Sequence, residues 1–516
     1  MKTYPNQEQF ENYVKNGYSV IPVWAEVLAD LETPVSVYLK VQDQHPQAGP
    51  FFLFESVVGG EKIGRYSSIG LNPAGLITVQ NGQTQFKTYR NEIEILVDQT
   101  EANPFNALEA TLQKLKAPAD LQDHSISGLI GAIAYDCVRF VEPINLKVDQ
   151  ELPEAAFLLT GDVIIFDNLS RTIRLLTNIY IPSQKADLKE LYSAATERIK
   201  NLEKLFQTEI KPANKRIISN DSLEGQETTS NWTSSCSQKE FETIVKTAKE
   251  HIVAGDIFQI VLSQQMKTIL PKAPDPLHLY RLLRSLNPSP YMFLLDFGDF
   301  KLIGSSPEVM VKCSAKSPDT SNEQVALLRP IAGTYRRGQN EAEDLELAEK
   351  LKNDPKELAE HLMLIDLARN DLGRVAIPGS VKLTDQMIVE KYSHVLHLVS
   401  EVVCNVRPEM NSIDLFKAVF PAGTLSGAPK VKAMQIIADL ESVARGFYGG
   451  SIGYFGFDGS VNTAMTIRTL TVKDNVIKLQ TGAGVVYDSE PAKEYQETLN
   501  KGAALLKVVE QASKLT

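Results

Sequence analysis

Short apolar runs broken by tight polar turns recur from one end of this chain to the other, and they leave few fold classes open. DVIIFDNLSRTIRLLTNIY (162–180) and SIGYFGFDGSVNTAMTIRTLTV (451–472) are two such stretches, and Asp458-Gly459 in the second is a strong hairpin signal. Antiparallel sheet is expected in both halves. Helical patterns interleave with it. In KEFETIVKTAKEHIVAGDIFQIVLSQ (239–264), Phe241, Ile244, Val245, Ala248 and Ile252 keep helical spacing, Gly255 supplies a stop, and a strand follows from about Ile257. The class is α+β, without an internal repeat. A polar stretch poor in core residues, 211–237, reads as a linker or long surface loop between an N-terminal part, 1–210, and a C-terminal part, 238–516.

Composition excludes several functions. At 516 residues, 43% hydrophobic and 8% aromatic, the chain can bury one large or two medium cores. A net charge of −11 offers no basic stripe for a phosphate backbone, so nucleic acid is not an expected partner. Cys137, Cys236, Cys313 and Cys404 lie far apart with no Cys-x-x-Cys pair, against a zinc site or a disulfide scaffold. The opening residues lack a signal-peptide core and no 18 apolar residues run together, so a cytoplasmic protein off the membrane is expected. The sequon Asn231-Trp232-Thr233 carries no weight without a secretory signal. GTLSGAPK (423–430) has neither P-loop nor dinucleotide-turn spacing, so nucleotide use is not supported.

Two carboxylate pairs stand out. Asp354 can cap a helix with Pro355 at its first position, which sets Glu357 three residues past the cap and Glu360 one turn further on the same face. Spacing alone favours a capping-box role for Glu357 and a solvated face for Glu360. Near the C-terminus Glu494 and Glu497 are three apart on a helix from about Pro491, with Lys501 four beyond, and a surface Glu497–Lys501 pair is the plain reading. The alternative is a hard cation: Mg²⁺ takes one or two carboxylates, keeps water and leaves room for an anion. His397 lies in a strand, KYSHVLHLVSEVV, pointing with Val395 and Val399 while His394 points the other way. Glu308, after the Ser-Ser-Pro break in GSSPEVMV, suits either a carboxyl re-aimed at a cleft or a solvated turn.

Taken together, these segments resemble the chorismate-utilising enzymes, and within them the large subunits of anthranilate synthases. The matching stretches are FQIVLSQ (258–264), GSSPE (304–308), RPIAGT (329–334), ELAEHLMLIDLARNDLGRV (357–375), HLVS (397–400), FPAGTLSGAPK (420–430), TIRTL (466–470), QTGAG (480–484) and EYQETLNK (494–501). FFLFESVVGGEKIGRYSSIG (51–70) and NPSPYMF (287–293) resemble the tryptophan-inhibitor site of that subunit.

The resemblance implies two facing antiparallel sheets with helices outside, and a reaction in which chorismate and ammonia give anthranilate under feedback inhibition by tryptophan. It implies Mg²⁺ held by Glu360 and Glu497 with support from Glu357 and Glu494, bridging to one chorismate carboxylate. Without the cation, each like-charge pair at about 4 Å would cost roughly 4 kcal/mol at an effective dielectric near 20. Arg468 and the backbone around Gly482, Ala483 and Gly484 take the other carboxylate, with Tyr448 and Thr424 lining the pocket and Gln259, Ala332, Gly333, Thr334 and Lys501 completing it. Glu308 is the implied general acid for the departing 4-hydroxyl, Thr424 stands beside it, and His397 assists the loss of pyruvate. Water-adding relatives place a lysine where Gln259 stands, and aminodeoxychorismate synthases often have a lysine nucleophile in place of Ala332, so both positions favour direct amination. No cysteine has the setting of a glutaminase nucleophile, which implies a separate glutamine amidotransferase partner. The inhibitor site falls on Glu55, Ser56, Pro290, Tyr291 and Met292, joined by Gly453 and Tyr454. The competing readings are aminodeoxychorismate synthase, which Ala332 and the inhibitor-site segments disfavour, and a non-catalytic tryptophan-binding regulatory protein, which the retained acidic pairs, Glu308 and Arg468 disfavour.

Overall fold

A computed structural model describes residues 1–28, 31–44, 49–56, 65–90, 101–124, 126–182, 186–211, 231–315, 323–392 and 395–514. His394 and most of the expected linker, 212–230, lie outside the described residues.

Every strand pairing is antiparallel, and among the described residues the strands form one sheet of twelve and one of eleven. The two parts of the chain share both sheets. In the larger, the N-terminal strands Val20–Leu28, Thr172–Tyr180, Asp162–Asp167, Tyr66–Leu71 and Phe51–Glu55 run in that order up to Tyr291–Asp296. Lys301–Ser306, Thr469–Lys473, Val476–Val485 and Gln259–Ile269 continue it. The smaller sheet has its seam where Gly128–Ile133 pairs with Ser451–Gly456. The hairpin expected at Asp458-Gly459 joins Ser451–Gly456 to Val461–Met465, with Gly459 at φ +87°.

Strands near the seams are buried on both faces. All six residues of Asp162–Asp167 and of Gly128–Ile133 are buried, so the apolar runs are continuous rather than strictly alternating. Lys382–Lys391, on the flank of the smaller sheet, instead alternates between exposed and half-buried residues along nearly its whole length.

Three helices matter for the site. Gln238–Val253 opens with a Ser237–Glu240 capping box and buries Phe241, Val245 and Ala248, with Gly255 at φ +79° just past its end. Its Phe241 ring meets Tyr495 of the last helix, Pro491–Lys514, at 5.8 Å. Pro355–Gly373 is capped by Asp354, as the sequence pattern requires, and buries Leu364, Ile365, Ala368 and Leu372. Burial of each large aliphatic side chain contributes about 1.5–3 kcal/mol. The capping-box reading of Glu357 does not hold: Asp354 accepts from the Lys356 and Glu357 N–H groups, but its own N–H bonds to the Leu351 carbonyl at 3.4 Å, leaving the Glu357 carboxylate to face elsewhere.

Candidate active site

Two places where the chain leaves one sheet for the other build the centre. Lys301–Ser306 belongs to the larger sheet and Val309–Cys313 to the smaller, so Pro307-Glu308 is a crossing. Val461–Met465 and Thr469–Lys473 make the reverse crossing through Arg468, whose backbone sits at φ +49°, a left-handed conformation that costs a residue with a side chain about 1 kcal/mol or more. The crossings are tied to each other, since Met465 N–H donates to the Glu308 carbonyl and Ser305 N–H to the Arg468 carbonyl, both at 3.1 Å. Residues 160 apart are thereby fixed side by side between the sheets.

Glu308 is 8% exposed, and loss of water pushes its carboxyl up to about 8. Thr424 Oγ1, which donates to Glu308 Oε1 at 3.4 Å, the Ile331 backbone and the charges of Arg468 and Lys501 oppose the shift without cancelling it. Arg468 is half-buried, and the loss of water around its guanidinium lowers its pKa against the pull of Glu308. Among the described residues its hydrogen-bond partner is the Asn287 side-chain oxygen at 3.5 Å, and it makes no ion pair within 4.0 Å. A guanidinium offers five N–H donors, so this one is set up to take an anion.

A β-bulge shapes the next wall. Register slips between Ala332 and Thr334 in the strand Ile331–Arg336, and Gly333 takes φ +61° there. A Cβ at Gly333 would lie 2.8 Å from Leu351 and 3.1 Å from Glu357 Oε2, so a side chain there would meet Leu351 and the acidic helix. The bulge turns the Gly333 carbonyl toward His397, whose Nδ1 donates to it at 2.8 Å, with Thr334 Oγ1 at 3.3 Å. Burial lowers the His397 pKa, so the ring is neutral at pH 7 and carries its proton on Nδ1.

The two acidic pairs lie within electrostatic reach of each other. Glu357 is raised in pKa by burial and by the charges of Glu360, Asp354 and Glu497, and Glu494 by burial and Glu497, so helices far apart in sequence bring these carboxylates into one field. Gln259 Nε2 approaches Glu360 Oε1 at 3.5 Å, while Gln259 Oε1 is buried without a partner. The Glu497–Lys501 pair is present at 2.7 Å, and Lys501 also donates to the Gly482 carbonyl at 3.1 Å. Tyr448 closes the floor, for a Cβ at Gly482 would come within 2.6 Å of its hydroxyl. Among the described residues no three His, Cys, Asp or Glu side chains converge tightly enough to hold a metal by themselves. The donor set still fits Mg²⁺, which needs one or two carboxylates, water and an anionic ligand.

A model of the family described as "chorismate binding enzyme" matches residues 49–507, which include every side chain of the candidate site described above. The chain belongs to the chorismate binding enzymes. It is 42% identical over 521 residues to an anthranilate synthase component 1 of Synechocystis, with 99% of both chains covered. Another protein of that name, from Aquifex aeolicus, is 42% identical over 97% of this chain and 96% of its own. The solved anthranilate synthase component I of Streptococcus pneumoniae superposes with a TM-score of 0.72 at 31% identity, covering 93% of this chain and 98% of that one.

In this chorismate binding enzyme the segments expected to bind an inhibitor also converge, at the seam of the larger sheet. Glu55 pairs with Met292 in register, Pro290 is buried, and the Tyr291 phenol, pushed up to about 12 by burial, lies within electrostatic reach of Tyr454 from the other sheet. Gly453, beside Tyr454, pairs with Gly131 at the second seam. Ser56 follows the end of the strand, and 57–64 lie outside the described residues. The Glu55 carboxylate is engaged: Tyr280 Oη donates at 2.5 Å, and Arg284 forks onto both oxygens at 3.0 and 3.2 Å. Sequence reasoning passed over Tyr280 and Arg284, although their four-residue spacing on the helix Pro276–Leu286 was a readable signal. Asn287 was read from the sequence as the start of the inhibitor segment 287–293; that it also partners Arg468 is a role nothing local announces.

Proposed function

We propose that this chain is the chorismate-using component of an anthranilate synthase, converting chorismate and ammonia to anthranilate, pyruvate and water. The observation that carries the proposal is Arg468, a half-buried guanidinium between the sheets with one long hydrogen bond among the described residues, beside a buried carboxyl that stays protonated near neutrality. That pair suits an anionic substrate with a hydroxyl to lose.

Arg468 takes one substrate carboxylate, with the Gly482, Ala483 and Gly484 backbone alongside. Glu360 and Glu497 would hold Mg²⁺, with Glu357 and Glu494 behind them, and the cation would supply the positive charge that lets a second substrate carboxylate lie against this acidic wall. Glu308 donates its proton to the 4-hydroxyl as a carbon–nitrogen bond forms at carbon 2, the ring double bonds shift and water departs. Thr424 holds the carboxyl oxygen in line. His397, neutral and anchored through Nδ1, assists the second stage, in which carbon 2 loses its proton, the enolpyruvyl carbon–oxygen bond breaks and the ring becomes aromatic. Gln259 presents an amide where a water-activating enzyme needs a base, consistent with ammonia as nucleophile.

Ammonia comes from a separate glutamine amidotransferase in this reading. Burial raises the thiols of Cys137, Cys236 and Cys404, the last to about 11, which makes them poor nucleophiles. Residues 1–210 carry most of a tryptophan-responsive regulatory part and 238–516 the chorismate site, with 211–237 as the link. Free cysteines suit a cytoplasmic setting, and among the described residues no helix is long and apolar enough to cross a membrane.

The test is direct. Purified chain with chorismate, Mg²⁺ and ammonium should yield anthranilate, identified by fluorescence and mass, faster at elevated pH where free ammonia is abundant, and glutamine should not replace ammonium. Accumulation of aminodeoxychorismate, or turnover with glutamine by the single chain, would refute the assignment.

A further inference from the structure

Behind the site lies a buried ion pair that is itself assigned no part in holding substrate, although it backs the Tyr448 wall, whose N–H donates to the Arg445 carbonyl at 3.1 Å. Arg445 and Glu441 are 4% and 5% exposed and bind each other twice, Nε to Oε2 at 2.9 Å and Nη2 to Oε1 at 2.7 Å. A buried pair of this kind gains little stability over apolar residues of similar volume, so its use lies in where its remaining bonds go.

They go to the backs of the site's walls. Arg445 Nη1 donates to the Leu425 carbonyl at 2.7 Å, at the end of the turn Gly423–Leu425 that carries Thr424. Nη2 donates to the Val261 carbonyl at 2.7 Å, and Val261 N–H in turn bonds to the Ser426 carbonyl at 2.9 Å, which fixes that turn against the strand of Gln259. The guanidinium lies 5.6 Å from the Tyr448 ring. Glu441 Oε1 accepts both the N–H and the hydroxyl of Ser263 at 2.8 Å, and Ser263 pairs in register with Gly482. Four of five guanidinium donors are thus used in one plane, a geometry lysine cannot copy.

We propose that the Glu441–Arg445 pair is a positioning clamp for the reaction, holding the Thr424 turn at the distance from which its hydroxyl reaches Glu308. The inference rests on the reading of Glu308 and Thr424 as reacting groups. Arg445 does not meet substrate, so its effect passes through Thr424.

A double-mutant cycle tests this, with kcat/KM for chorismate measured across pH at fixed free ammonia. Arg445→Lys and Thr424→Val should each lower kcat/KM by at least about 10-fold, and the double variant should fall no more than about threefold below the worse single, because both remove one linkage. Both singles should also move the alkaline limb to higher pH, since the Thr424 hydroxyl favours the ionised form of Glu308 and its loss lets the carboxyl hold its proton longer. A merely structural role for Arg445 would lower activity without moving that limb. Glu441→Gln, which keeps size and removes charge, repeats the cycle and should give the same pattern. A double variant near 100-fold down, as independent effects require, or an unmoved limb in Arg445→Lys and Glu441→Gln, overturns the clamp. Wild-type protein that makes no anthranilate overturns the functional reading itself, and an active wild type with an additive cycle overturns the clamp alone.

Discussion

Glu308 shows how a single residue can be poor for stability and useful for chemistry. Its carboxyl is raised from 4.5 to about 8 by burial, so between those pH values the folded protein keeps a proton that the unfolded chain releases. The native state therefore binds more protons, and stability falls as pH rises through this window, then levels off above it. Glu308→Gln removes the penalty while keeping size. Its melting temperature should match wild type below about pH 4.5, rise progressively above it between 4.5 and about 8, and keep that advantage at higher pH. The same variant should lose nearly all turnover, since an amide cannot give up the proton that the leaving hydroxyl needs. Thermal melts at several pH values check the first part and the anthranilate assay the second. A variant that melts with wild type at every pH would place Glu308 in a wetter setting than the one described.

At the level of elements, two helices decide the chemistry of the acidic wall. Pro355–Gly373 and Pro491–Lys514 each present a carboxylate pair, and the fields of Glu357, Glu360, Glu494 and Glu497 overlap. Glu360→Gln and Glu497→Gln each remove one charge without changing size. Each should cut Mg²⁺-dependent turnover by at least about 10-fold and raise the Mg²⁺ concentration needed for half-maximal rate, with the melting temperature little changed. Wild-type rates and metal dependence in both would return these helices to ordinary solvated faces. Both helices were legible in the sequence because caps, proline at the first turn and three- and four-residue spacings are local signals. That their acidic ends come within electrostatic reach of each other was not legible from spacing, which favoured a capping role for Glu357 and a surface pair for Glu497. The Gly333 bulge, the crossings that bring Glu308 beside Arg468, and the Arg445 bonds to Leu425 and Val261 depend on pairings between residues distant in sequence. Resemblance to a family supplied what periodicity could not.

For the whole molecule, the shared sheets place the candidate inhibitor segments and the candidate active site on one frame. The strand Phe51–Glu55 completes the larger sheet against Tyr291–Asp296, and the next strand, Lys301–Ser306, ends at the crossing that carries Glu308. Asn287, which opens the segment ending in Tyr291 and Met292, touches both Ser305 and Arg468, at 2.9 and 3.5 Å. A ligand wedged at the seam near Glu55, Ser56 and Pro290 would thus press on the segment whose Asn287 also holds the Arg468 guanidinium. Tryptophan is a zwitterion with an apolar ring, and it needs a carboxylate or carbonyls for its ammonium, donors for its carboxylate and a wall for its indole. Arg284 and Tyr280 already place three donors on the Glu55 carboxylate, so a tryptophan ammonium would compete with them for its oxygens and bear on the seam they hold. Tryptophan would then favour a state that binds chorismate poorly, with a coupling of roughly 1–3 kcal/mol, or about 5- to 150-fold in affinity. Ser56→Phe fills the edge of this site far in sequence from every reacting group. It should abolish inhibition by tryptophan while leaving uninhibited kcat and KM for chorismate close to wild type. The check is a titration of anthranilate formation with tryptophan for both proteins. Inhibition of Ser56→Phe at the wild-type concentration would move the inhibitor elsewhere, and a wild type indifferent to tryptophan would leave the seam a purely structural joint.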